Sequence, residues 1–212
     1  MGIDPILKLG WINSEQDFEL ARGLAEKAKK NAGATQTEAD TIAVFVEPIL
    51  RGLGWDTLTW MQVSRDSRRR YSLGDIWLLA EEGAKIAVMI EVRQIGLPTL
   101  REKDRRQLTL YARSLVEVEE GEHNRKWRLD DGGDRVFLYA VLTNGEKWEV
   151  YDFGIQKAGT PAPSTSRSLL YEFDLATVKD GLRKLSSFIG KDIIEGKVRE
   201  FLRQGCRADS SS

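Results

Sequence analysis

Residues 75–93 read Asp75-Ile-Trp-Leu-Leu-Ala80-Glu-Glu-Gly-Ala-Lys85-Ile-Ala-Val-Met-Ile90-Glu-Val-Arg93. Two apolar runs flank the break Glu81-Glu82-Gly83, the pattern of two strands joined by a turn. The first strand is expected over Asp75 to Ala80 and the second over Lys85 to Arg93. Ile86 to Ile90 is apolar at every position, so the second strand should be buried on both faces, at the centre of a sheet. Folding the run about its turn brings Asp75 close to Glu91. Acidic residues are poor strand formers and costly near a core. Two of them converging at the open end of a buried hairpin suit a divalent cation, which prefers carboxylate ligands. Strand alternation puts Glu91 and Arg93 on one face.

Working outward, the upstream chain has helical spacing. Ser14 to about Lys30 reads as a helix, with Ser14 as N-cap. A second helix starts at Thr35, where Thr35 and Glu38 fit a capping box. Its apolar stripe is Ile42, Phe45, Val46, Ile49 and Leu53, and Gly54 ends it. Pro48 falls inside and should remove a hydrogen bond and bend the helix. Trp55 to Val63 reads as extended or hairpin, followed by a basic loop with Arg65, Arg68, Arg69 and Arg70. Those arginines read either as a solvated loop or as a phosphate clamp.

Downstream, Pro98 and Thr99 open a third helix running to about Val116. The polar stretch 117–134 reads as a long loop or insertion. Arg135 to Leu142 is a buried strand, Thr143-Asn144-Gly145 a turn, and Lys147 to Phe153 a returning strand. Residues 154–166 read as a linker, Leu169 to Phe173 as an edge strand, and 175–203 as one or two helices. The tail after Gly205 is expected to be disordered. The order of elements predicts an α/β (α+β) fold, a mixed central β-sheet flanked by helices. The division expected is a helical extension over 1–34, a core over 35–155, a linker, edge strand and helices over 156–204, and the tail 205–212.

Composition restricts the chemistry. The 212 residues carry 32 basic and 33 acidic side chains, for a net charge of −1. The charge is uneven. Arg65 to Arg113 holds 11 basic and 7 acidic residues, whereas the first 64 residues hold 6 and 9. A local positive excess beside the two carboxylates is what phosphate binding needs. One cysteine, Cys206, and one histidine, His123, argue against an internal disulfide, a cysteine-based zinc site and histidine-centred triads. A catalytic metal would take oxygen ligands, pointing to Mg²⁺ or Mn²⁺. No secretory signal and no long apolar run are evident, so a cytoplasmic chain making no use of the membrane is expected.

Asp75, fifteen residues, then Glu91-x-Arg93 resembles the PD-(D/E)xK nuclease pattern, with Arg in place of Lys. The flanking signals are Glu47 on a helix ending Leu53-Gly54-Trp55-Asp56, then Gln107-x-x-x-Tyr111, Val141-Leu-Thr-Asn-Gly145 and Trp148-x-x-Tyr151-Asp152. In this order they resemble the N-terminal nuclease domain of type I restriction-enzyme R subunits, over roughly Thr37 to Phe153. The resemblance implies a restriction-endonuclease-like fold and metal-dependent cleavage of DNA in restriction, defence or DNA processing. It implies Asp75, Glu91 and Glu47 as metal ligands for Mg²⁺ or Mn²⁺. Arg93 and Gln107 join them as catalytic residues, and Tyr111 as a DNA contact, while the basic Arg68, Arg69, Arg70 and Lys103 are the further candidates for holding nucleic acid. DNA, a homodimer and a restriction-system protein are the partners it suggests. The P-loop of the R-subunit motor is absent. Arg93 is always protonated and cannot act as a base, though it can hold a phosphate or orient a water. Lys103 on the next helix is a candidate replacement for the missing lysine. The same features fit a catalytically silent member of the fold that binds nucleic acid or a protein partner. A protein-binding module without DNA affinity is the third class, on the strength of the acidic first 64 residues and the 117–134 insertion.

Overall fold

The computed structural model describes Gly23 and residues 37–58, 63–65, 74–80, 85–95, 100–116, 136–157, 168–174 and 181–209. The expected helix over residues 14–30 lies outside them except for Gly23, as do Arg68 to Arg70, the turn 81–83 and the insertion 117–134.

Six strands form one sheet in sequence order: β1 (Val63–Arg65), β2 (Ile76–Ala80), β3 (Lys85–Val92), β4 (Val136–Thr143), β5 (Lys147–Lys157) and β6 (Ser168–Asp174). All neighbours pair antiparallel except β3 and β4, which are parallel. A parallel pair requires a crossover, and the chain between these strands contains a helix, Glu102–Val116. The mixed sheet flanked by helices is the α/β arrangement expected. The buried run Ala87 to Ile90 in β3 is at most 0 % exposed, as a central strand requires.

The sheet separates two cores. Ile76, Leu78, Val88, Ile90, Val92 and Val141 face one way. Against them pack the helical residues Val46, Ile49, Leu50, Leu185, Ile189, Ile194 and Val198. Trp77, Leu79, Met89, Ala140, Leu142 and Tyr151 face the other way, against Leu108 and Ala112 of the crossover helix. Asp75, Glu91, Arg93 and Glu149 alternate onto this second face.

The first described helix has three parts: α1 (Glu38–Thr41), a π-helical turn (Ile42–Val46) and α2 (Glu47–Gly52). Its cap differs from expectation. Thr37, not Thr35, is the N-cap, and its capping-box partner is Asp40 rather than Glu38. Both requirements of the box are met by Thr37 and Asp40: the Thr37 hydroxyl accepts from Asp40 N–H, and the Asp40 carboxylate accepts from Thr37 N–H. The π turn precedes Pro48 and accounts for it. Glu47 N–H donates to Ile42 O, five residues back, a widening that eases the proline ring past the preceding turn. Gly54 closes the helix at φ +89°. Gly54 N–H donates to Arg51 O and Trp55 N–H to Leu50 O, the two bonds of a Schellman motif.

The crossover helix is α3 (Glu102–Val116), and α4 (Gly181–Ile189) and α5 (Lys191–Asp209) follow β6. Several boundaries need correction. The helix expected to open at Pro98 and Thr99 begins at Glu102, and Ser64 and Arg65, expected in the basic loop, belong to β1. Residues 154–157, expected in a linker, extend β5. Residues 205–209, expected to be disordered, continue α5, because Arg203 to Asp209 lacks proline and its alanine, glutamine and arginines favour helix. No helix among the described residues is long and apolar enough to cross a membrane.

Candidate functional site

β2 runs antiparallel to β3, and β3 parallel to β4. The head of β2 and the tails of β3 and β4 therefore meet at one end of the sheet. Ile76 pairs with Ile90, and Asp75 N–H donates to Ile90 O at 3.0 Å. Asp75 thus stands opposite Glu91, as the sequence predicts. Gly74 makes the entry at φ +80°, where an added Cβ would lie 2.7 Å from Met89 Cγ. Only glycine brings the chain this close to β3.

The Asp75 carboxylate is fixed by Val92 N–H, which donates to Oδ2 at 2.6 Å. Glu91 is 3 % exposed. Its Oε1 accepts from Gln107 Nε2 at 3.1 Å and meets Arg93 Nη1 at 2.7 Å. Among the described residues, no hydrogen bond reaches Oδ1 of Asp75 or Oε2 of Glu91. Burial pushes the Asp75 carboxyl up, against the pull of Val92 N–H. Burial and then the Asp75 charge push Glu91 up to about 7, against the attraction of Arg93. The two carboxylates repel each other in a poorly hydrated place, which a nearby cation relieves.

Arg93 is buried and all three nitrogens of its guanidinium are engaged. Nε donates to Asp104 Oδ1 at 3.0 Å, Nη1 to Val92 O at 2.9 Å and Nη2 to Gln107 Oε1 at 2.9 Å. Burial works against its charge, but Glu91 and Asp104 together hold its pKa above the ordinary arginine value. Asp104, 2 % exposed, is also held by Arg101. Burial opposes its ionisation, yet hydrogen bonds from Arg101 and Arg93 keep it below the usual carboxylate range. Gln107 bridges the two sides, accepting from Arg93 and donating to Glu91 and, at 2.6 Å, to Tyr111 Oη. Only one orientation of its amide satisfies all three partners.

The sequence expectations fare differently. Asp75, Glu91, Arg93, Gln107 and Tyr111 come together as one connected group. Glu47 sits buried at the start of α2, whose neighbours Val46, Ile49 and Leu50 pack on the opposite face of the sheet. No group of three or more acidic, histidine or cysteine side chains is placed to share a metal among the described residues. From the first described helix, Glu38 comes near the site, with Oε1 3.7 Å from Arg93 Nη1, and its charge raises both Asp75 and Glu91. Lys103 is exposed, one turn before Gln107 on the crossover helix.

Asp104 and Glu38 were not anticipated. Asp104 carries a readable signal, since 104, 107 and 111 share a helix face, but it is embedded in the charged run Arg101 to Arg106. Glu38 reads from sequence as a capping-box acid, and its reach to Arg93 depends on how the helix packs. The turn Thr143-Asn144-Gly145 buttresses this end of the sheet. Asn144 Oδ1 accepts from Glu146 and Lys147 N–H, and Ile95 N–H donates to Thr41 Oγ1.

Two carboxylates with a remaining oxygen each fit Mg²⁺, which commonly takes one or two protein carboxylates and keeps several waters. The residues that would hold it are Asp75 and Glu91. No protein-family model, no curated protein and no solved structure matches this chain.

Proposed function

We propose that this protein is a metal-dependent nuclease acting on DNA phosphodiester bonds, with a restriction-endonuclease-like core. The observation that carries the reading is the convergence of Asp75 and Glu91 at one sheet end, both pushed toward protonation by burial and by negative neighbours. A bound Mg²⁺ or Mn²⁺ would supply charge neutralisation and activation of a water. The protein's own residues do the rest. Asp75 is oriented by Val92 N–H and Glu91 by Gln107. Arg93 supplies a fixed positive charge beside Glu91, suited to a phosphate oxygen or to developing negative charge. Its guanidinium does not deprotonate, so the attacking water loses its proton to a carboxylate or to solvent. This end of the sheet, at the carboxyl ends of the parallel pair, is where open α/β sheets place ligands.

A second reading rests on how closely Arg93 is held. Four groups, Glu91, Asp104, Gln107 and Val92 O, already engage its guanidinium. In that reading Arg93 substitutes for the metal, and the chain binds nucleic acid or a restriction-system protein without cutting.

The test is cleavage of plasmid and single-stranded DNA with Mg²⁺ or Mn²⁺, beside Asp75→Ala and Arg93→Lys. Metal-dependent cleavage that disappears in Asp75→Ala supports the nuclease. An inert wild type with an active Arg93→Lys supports the silent fold, and no cleavage by any of the three contradicts the nuclease reading.

A further inference from the structure

Asp104 is buried beside the site, yet its two oxygens face arginines. Oδ1 accepts from Arg93 Nε at 3.0 Å, and Oδ2 accepts from the Arg101 N–H and Nε, each at 3.1 Å. Arg93 is therefore gripped at its Nε edge from α3, while its Nη1 reaches Glu91 Oε1. A guanidinium and a divalent cation compete for the same carboxylate and repel each other. Glu91 can serve a cation fully only if Arg93 has another anion to rest on, because a buried charge without a partner is costly. Asp104 and Gln107 Oε1 offer that alternative on the side of the guanidinium away from β3.

We propose that Asp104 is a positioning residue that holds Arg93 by its Nε edge, so that Glu91 can pass from the guanidinium to a divalent cation. The proposal rests on the metal reading above and assigns that site its internal competitor. Arg93 sets how tightly the cation binds, and Asp104 sets how readily Arg93 yields.

The experiment is Mn²⁺ binding by the full chain without DNA, at pH 8, followed by calorimetry and by electron paramagnetic resonance. The proteins are wild type, Arg93→Gln, Asp104→Asn and the double variant. Arg93→Gln is expected to bind Mn²⁺ about tenfold more tightly than wild type, and Asp104→Asn about tenfold more weakly, the scale of one charge-assisted hydrogen bond. In the Arg93→Gln background, Asp104→Asn is expected to change nothing. A merely structural Asp104 would weaken binding by the same factor in both backgrounds, and that result would overturn the proposal. Wild-type affinity in Asp104→Asn would overturn it as well. Should Asp104→Asn not fold, Arg93→Gln still decides, since affinity no tighter than wild type contradicts the competition. Binding by neither wild type nor Arg93→Gln overturns the metal reading together with the proposal. Tighter binding by Arg93→Gln that ignores Asp104 leaves the metal reading standing and removes only Asp104's role.

Discussion

Glu91 is poorly placed for stability, and on the proposed reading it is placed there for function. Its carboxyl is pushed up to about 7 by burial and by Asp75, against an ordinary value near 4.5 in the unfolded chain. Between those values the native state holds a proton that the unfolded state has released, so stability falls as pH rises from about 4.5 to about 7. Asp75, also pushed up, adds to the loss with the same sign. Urea unfolding from pH 5 to 8 should show this decline in wild type. Glu91→Gln, neutral throughout, should lack most of it and be the more stable protein at pH 8. The sequence located both acids because carboxylates at strand ends beside apolar runs stand out. It did not locate Asp104, whose partner is reached only when α3 lies across β3.

At the scale of elements, the turn between β4 and β5 couples the sheet to the first helix. Gly145 has φ +82°, and an added Cβ would lie 2.9 Å from Phe45 Cβ and 3.2 Å from Thr41 Cγ2. Gly145→Ala is therefore expected to destabilise by about 1–3 kcal/mol, from left-handed strain together with a clash against the π turn, and denaturant unfolding measures it. The motif Thr-Asn-Gly was legible as a turn because asparagine and glycine tolerate that backbone. Its closeness to Phe45 was not legible, since that contact spans a hundred residues. The helix starts two positions later than expected for a related reason. Thr35 and Thr37 both precede an acid three residues on, and local spacing alone does not choose between them.

For the whole molecule, the site depends on α3 lying on the sheet. Leu108 is wholly buried between α3 and the strands, one position after Gln107. Leu108→Ala should cost about 2–5 kcal/mol and loosen the Arg93–Gln107–Glu91 group, visible as a lower unfolding midpoint and weaker divalent binding together. The layered architecture was largely legible, because hydrophobic runs of strand length alternate with helical periodicity. The intervening helix is consistent with the parallel pairing of β3 with β4, which the mixed sheet expected from sequence left unassigned, and the opposite-face position of α2 does not follow from anything local. The central claim is that the Asp75 charge, not its shape, is what the site needs. The most direct measurement is metal-dependent DNA cleavage by Asp75→Asn, whose side-chain oxygen can still accept the Val92 N–H. The account predicts a folded protein that still binds DNA and cleaves at least about a hundredfold more slowly than wild type, on the scale of losing one group that stabilises the transition state. Cleavage at the wild-type rate would contradict it.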